Sequence, residues 1–351
     1  MENTQKEQSK KSKFITAGFF AFSLAIVAVI AILEFGGEQD RHLDNIVFHV
    51  PFLAAAIGCF LLALLCETLK YSFLLQHRGY DRKKSLGFTC AVIGKYYDNL
   101  TPAGAGGQGF QMYHLNQNGC DSGTSGGLPI IGFLGLQFAF VIIAILTMIL
   151  GANYLGDLVV IRVTAIVGLV FYAFIPVCIV IFAIAPRPLE AIVGWGTRLL
   201  GRMHILKHPE TTTEKAIGSL RSYTDAMHGF WKDRKQTFLV LFLSLVYQAA
   251  LMAMPYFVLH FFGADIGFRS CFCRVVYIYC AMAIIFTPGN SGAAEASFYM
   301  VFNNLSGGAI FWGMLVWRAL CYYSWIVLGA IIQLVQRPHR KKHLKEQQTS
   351  E

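Results

Sequence analysis

Two stretches interrupt otherwise apolar runs with the same residue types. Tyr96 to Leu115 reads YYDNLTPAGAGGQGFQMYHL, and Ile284 to Phe302 reads IIFTPGNSGAAEASFYMVF. Each holds a Thr-Pro pair, Thr101-Pro102 and Thr287-Pro288, followed by glycines. Proline removes a backbone donor and turns the preceding residue away from helix, while glycine permits positive φ and close backbone approach. A helix that restarts after such a break points unpaired N–H groups and the positive end of its dipole at whatever lies there, which suits a phosphate. The alternative is that Gly104, Gly106, Gly107 and Gly292 only allow helices to cross closely.

Charged residues stand within or beside the same runs. Lys95 and Asp98 precede the first break, Arg274 opens the second broken stretch, Glu295 follows its Thr-Pro-Gly, and Arg318 lies near the middle of the last apolar run. Ionisable groups at membrane depth are costly and are functional candidates by default. Structural roles compete with this: Lys95 and Asp98 as a neutralising i,i+3 pair, and Glu295 with Arg318 as a buried ion pair pinning the second break to the last helix. Glu67 and Lys70, near the end of the second apolar run, read as snorkelling interface residues. No Ser-His-Asp, HExxH or Walker pattern is present, and the nine cysteines include no CxxC pair and no zinc-type spacing. No catalytic residue, metal or cofactor is therefore expected.

The elements that must position these residues are set by composition. Of 351 residues, 55% are hydrophobic and only 14% charged, the profile of an all-α polytopic membrane protein. Six runs approach the ~20 residues needed to cross a bilayer: 14–33, 50–75, 128–150, 159–185, 236–262 and 309–335. The stretches 85–118 and 270–306 begin apolar and then break. Most of the 29 Lys and Arg residues fall in segments 1–13, 78–84, 186–235 and 336–351. The positive-inside rule puts all four in the cytoplasm, which requires each broken stretch to cross an even number of times. Both are then re-entrant hairpins, and residues 14–150 and 159–335 form an inverted-topology repeat, the second including cytoplasmic loop 186–235. Interrupted segments at matched places in inverted repeats point to a transporter's substrate site. The net charge of +9 accordingly reads as topology determinants facing anionic lipid rather than direct nucleic-acid binding.

The first motif, Asn99-Leu-Thr-Pro-Ala-Gly-Ala-Gly-Gly-Gln108 with Gln111 following, and the second, Thr287-Pro-Gly-Asn-Ser-Gly-Ala-Ala-Glu295, resemble the paired motifs of the lysylphosphatidylglycerol synthase transmembrane-region family. The resemblance implies a flippase-like membrane protein that translocates phosphatidylglycerol or its aminoacylated form between leaflets. The substrate-binding set expected from motifs and charges is Lys95, Asp98, Asn99, Thr101, Pro102, Gly104, Gly106, Gly107, Gln108, Gln111, Arg274, Thr287, Pro288, Gly289, Ser291, Gly292, Glu295 and Arg318. Partners implied are an anionic or aminoacylated phospholipid, a separate lipid synthase, and a second copy in a homodimer. The location implied is a bacterial inner membrane with both termini cytoplasmic. Two alternatives accompany this reading. One is a lysyl-tRNA-dependent phosphatidylglycerol lysyltransferase or its membrane subunit, linked to resistance to cationic antimicrobial peptides. Because the chain ends soon after its last span, the tRNA-using catalytic domain is expected to be missing. The other alternative is a regulatory membrane scaffold.

Overall fold

Helices apolar on nearly every face are solvated by lipid, and the long runs of this sequence form such helices. The computed structural model describes residues 48–80, 84–101, 104, 106–151, 159–184, 195, 197, 213, 218, 231–284, 290, 292–305 and 307–335. The predicted first span 14–33, the terminal segments 1–13 and 336–351 and most of loop 186–235 lie outside the described residues. Among the described residues, every regular element is helical. They are α1 (Val50–His77), α2 (Lys84–Leu100), α3 (Gly107–Gln117), α4 (Ser122–Leu150), α5 (Val159–Ile184), α6 (Arg234–Phe261), α7 (Phe268–Met282), α8 (Ala293–Phe302) and α9 (Gly307–Arg318). After α9 the chain makes a π-helical turn, Ala319–Tyr323, and continues as helix, so that the last span is Gly308–Val335.

Among the described residues, five helices are long and apolar enough to cross a membrane: α1, α4, α5, α6 and the last span. Large apolar side chains such as Leu61, Ile149, Val170, Phe174 and Leu334 are exposed along them, as lipid-facing surfaces require. Helix α4 begins at Ser122 rather than at the predicted 128. The apolar run starts only at Leu128, but Asp121 caps the helix earlier by accepting a 2.9 Å hydrogen bond from the Thr124 N–H. Hydrogen bonding from Thr124 holds the Asp121 carboxyl down at about 2.

Helices α1 and α6 run antiparallel along the centre. At one end the His49 N–H donates to the Phe261 carbonyl at 3.0 Å, and at the other His77 Nε2 lies 3.2 Å from Asp233 Oδ2. The α2–α3 hairpin opens at the His77 end, where Tyr80 Oη donates to Asp121 Oδ2 at 2.8 Å. Its arms cross closely because both carry glycine: a Cβ on Gly107 would sit 2.5 Å from the Gly94 carbonyl oxygen.

The α7–α8 hairpin opens at the opposite end. Arg274 clasps its base, donating through Nη1 to the Val301 carbonyl at 2.9 Å and to Asn304 Oδ1 at 2.6 Å. The two broken stretches thus enter the helical body from opposite ends, and described residues beside both breaks, Gly104 and Asn290 among them, line one cavity.

Candidate functional site

Between the two breaks the protein holds a partly open cavity of about 280 Å³. The first hairpin lines it with Lys95, Asp98, Asn99, Gly104, Gln108 and Gln111, and the second with Met282, Ala283 and Asn290. The last span adds Trp317, Arg318, Cys321 and Tyr322 from around the π turn. Such turns widen a helix locally and recur at functional sites. Helices α1, α4, α5, α6 and α7 complete the wall with Glu67, Tyr71, Gln137, Tyr172, Tyr247, Gln248 and Tyr279.

Each tip is fastened to the π turn. Arg318 Nε lies 2.8 Å from Glu295 Oε1, with the two side chains 4% and 0% exposed. The other Glu295 oxygen accepts from the Gly292 N–H at 2.7 Å, closing the start of α8, where Gly292 holds the positive φ of 87° that glycine tolerates. Arg318 stacks 4.3 Å over the Tyr322 ring. Tyr322 Oη donates to the Asn99 carbonyl at 3.2 Å, and Asn99 Nδ2 donates back to the Tyr322 carbonyl at 3.4 Å. Glu295, Arg318, Tyr322 and Asn99 form one physical chain from the second hairpin to the first.

The start of α3 differs from the phosphate cradle read from the glycines. The Gly104 N–H donates to the Thr101 carbonyl at 3.2 Å, the Gly106 N–H to Thr101 Oγ1 at 2.9 Å and the Gly107 N–H to Asp98 Oδ1 at 2.9 Å. The donors expected to meet a ligand are consumed within the hairpin, and a carboxylate stands where an anion would have to approach. The dipole is offset internally, as Glu295 offsets that of α8.

The structural alternative for Lys95 and Asp98, a mutual i,i+3 pair, is also replaced. Lys95 Nζ turns instead to Glu67 Oε1 at 4.0 Å and sits 4.9 Å over the Tyr247 ring. Glu67 and Lys70 are not snorkelling residues: each is 1% exposed, they pair at 2.9 Å, and Lys70 Nζ also donates to the Gly132 carbonyl at 3.2 Å. Their register carries them inward, since Ala56, Phe60, Ala63, Glu67, Lys70 and Leu74 form the buried stripe of α1. Arg274 belongs to the base of the second hairpin and does not line the cavity. Pro102, Thr287, Pro288, Gly289 and Ser291 lie outside the described residues. Gln111 is held against the wall, accepting from Tyr71 Oη at 3.2 Å and donating to the Cys90 carbonyl at 3.0 Å.

The sequence reading put Glu67 and Lys70 at the membrane interface and missed the aromatic wall. The register of α1 could have found the first two, whereas a tyrosine inside an apolar span carries no signal that separates cavity lining from packing. Among the described residues no group of three His, Cys, Asp or Glu could hold a metal ion.

A family model described as "Lysylphosphatidylglycerol synthase TM region" matches residues 16–329. The chain is 26% identical over 326 residues to a "UPF0104 membrane protein" of Archaeoglobus fulgidus, covering 88% of this chain and 94% of that relative. No solved structure matches.

Proposed function

The chain belongs to the lysylphosphatidylglycerol synthase transmembrane-region family, and from that premise we propose that it binds a polar phospholipid head group and carries it between leaflets. Phosphatidylglycerol and its aminoacylated form are the cargoes to try first. One observation carries the reading: hairpins entering from opposite ends bring charged and hydrogen-bonding side chains to one interior cavity. A lipid crossing a bilayer must move its head group through hydrocarbon, and a polar cavity reached from both leaflets replaces the water it gives up. The tail-facing sides need nothing polar, which suits the apolar outer faces of α4 and α5.

A reconstitution assay tests this. In phosphatidylcholine vesicles carrying tail-labelled phosphatidylglycerol, the protein should expose inner-leaflet probe to an external quencher faster than protein-free vesicles do. Gln108→Trp, which fills the cavity from the first tip, should slow that exposure by about tenfold, a barrier change of roughly 1.4 kcal/mol. Equal rates with and without protein for phosphatidylglycerol, its aminoacylated form and phosphatidylethanolamine alike would remove the reading.

The basic segments favour an orientation, here proposed for a bacterial inner membrane, in which both ends of the α2–α3 hairpin face the cytoplasm. Gln117 and Asp265 are exposed at opposite ends of the helical body. Cysteines placed there on a thiol-free background should react with an impermeant maleimide from the cytoplasm only at 117 and from outside only at 265. Labelling of both from one side would defeat the inverted arrangement.

A further inference from the structure

Among the described residues, the charged side chains lining the cavity are Glu67, Lys95, Asp98 and Arg318, and Lys70 and Glu295 pair with two of them, three acids against three bases in all. Two pairs are closed, Glu67 with Lys70 at 2.9 Å and Glu295 with Arg318 at 2.8 Å, all four side chains nearly or fully buried. Lys95 and Asp98 remain, one helical turn apart on α2, both partly exposed and both lining the cavity. Lys95 is 19% exposed, and its protein contacts are long, 4.0 Å to Glu67 and 4.9 Å to the Tyr247 ring centre. Asp98 commits Oδ1 to the Gly107 N–H. The cavity therefore offers one accessible charge of each sign within reach of a single head group. The rings of Tyr172, Tyr247 and Tyr279 add faces that attract a cation.

The charge balance restricts what can enter. In a site shielded by hydrocarbon, a ligand that leaves net charge behind is penalised far more than in water. A phosphate alone would leave the filled cavity one charge negative, and a head group with two ammonium groups would leave it one charge positive. We infer that the cavity selects a net-neutral phospholipid head group with one phosphate and one ammonium, the phosphate facing Lys95 and the ammonium facing Asp98 and the tyrosine rings. This rests on the translocation reading above and narrows its cargo to such lipids as phosphatidylethanolamine or phosphatidylglycerol bearing a single-amine aminoacyl group.

The test uses the full-length protein in phosphatidylcholine vesicles, where the matrix lipid competes equally with every probe. Tail-labelled phosphatidylethanolamine, phosphatidylglycerol and lysylphosphatidylglycerol are compared for rate of transfer, and their binding to the protein in nanodiscs is measured by native mass spectrometry. The wild type should move and bind phosphatidylethanolamine about tenfold better than either charged lipid, a difference of roughly 1.4 kcal/mol. Asp98→Asn keeps an oxygen for the Gly107 N–H and should shift the preference to phosphatidylglycerol. Lys95→Gln should shift it to lysylphosphatidylglycerol, and the double variant should return it to phosphatidylethanolamine. Unfolding midpoints near the wild type's show that each variant is folded, and the conservative sizes of both replacements favour this. A wild type that prefers either charged lipid, or an order that stays fixed in both single variants, overturns the inference while leaving translocation intact. Binding in the stated order without transfer removes the translocation reading and leaves the selectivity standing.

Discussion

Alanine at Glu295 or at Arg318 should each destabilise the protein by about 3–5 kcal/mol, the usual consequence of stranding one member of a buried ion pair. The stranded group has little recourse: Glu295 is 0% exposed and Arg318 4%. Losing Glu295 also frees the Gly292 N–H at the start of α8, and losing Arg318 removes the cation stacked on Tyr322. Because Tyr322 exchanges hydrogen bonds with Asn99, the damage extends to the first hairpin as well as the second. The measurement is a double-mutant cycle on unfolding in detergent, with lipid transfer recorded alongside. Glu295→Ala and Arg318→Ala combined should cost clearly less than the sum of the single changes, and the exchanged pair Glu295→Arg with Arg318→Glu should recover part of the loss. Strictly additive single effects would mean that the 2.8 Å contact contributes no coupling.

How much of this is legible in the sequence depends on which physical signal each feature leaves there. Spans leave a strong one, because a helix crossing lipid must be apolar over most of its length, and the predicted 50–75, 159–185 and 236–262 fall within two residues of α1, α5 and α6. Helix ends set by capping leave a weaker one, which is why α4 starts at Ser122, behind its Asp121 cap, and not where hydropathy rises. Re-entrance was legible from charge bookkeeping, since only even crossings keep the basic segments on one side. The Glu295–Arg318 pair was legible as an alternative because both charges are isolated in apolar sequence. The fate of the glycine N–H groups was not legible. Proline and glycine announce that a helix breaks, but whether the freed donors meet a ligand or the protein's own Asp98 and Thr101 depends on how the chain folds back.

Lys70 separates the sequence reading from the structural one most sharply. A snorkelling lysine at a helix end keeps its ammonium in water and lends only its alkyl stem to the interface, so Lys70→Met would change stability by no more than about 0.5 kcal/mol. In the structure the side chain is 1% exposed and its ammonium is shared between Glu67 and the Gly132 carbonyl. Methionine of similar length fills the space but leaves the Glu67 carboxylate buried with only Lys95, 4.0 Å away, to balance it. The expected loss is about 3–5 kcal/mol. Adding Glu67→Gln should restore most of it, because a neutral amide no longer needs a cation, and replacing both members of a buried pair is often neutral where breaking it is not. The rescue has a second consequence. Removing Glu67 and Lys70 together leaves the cavity's charge sum unchanged, so lipid preference should persist in the rescued double variant even though Lys95 has lost its nearest carboxylate. A Lys70→Met protein as stable as the wild type would return Lys70 to the membrane interface and take Glu67 out of the cavity wall.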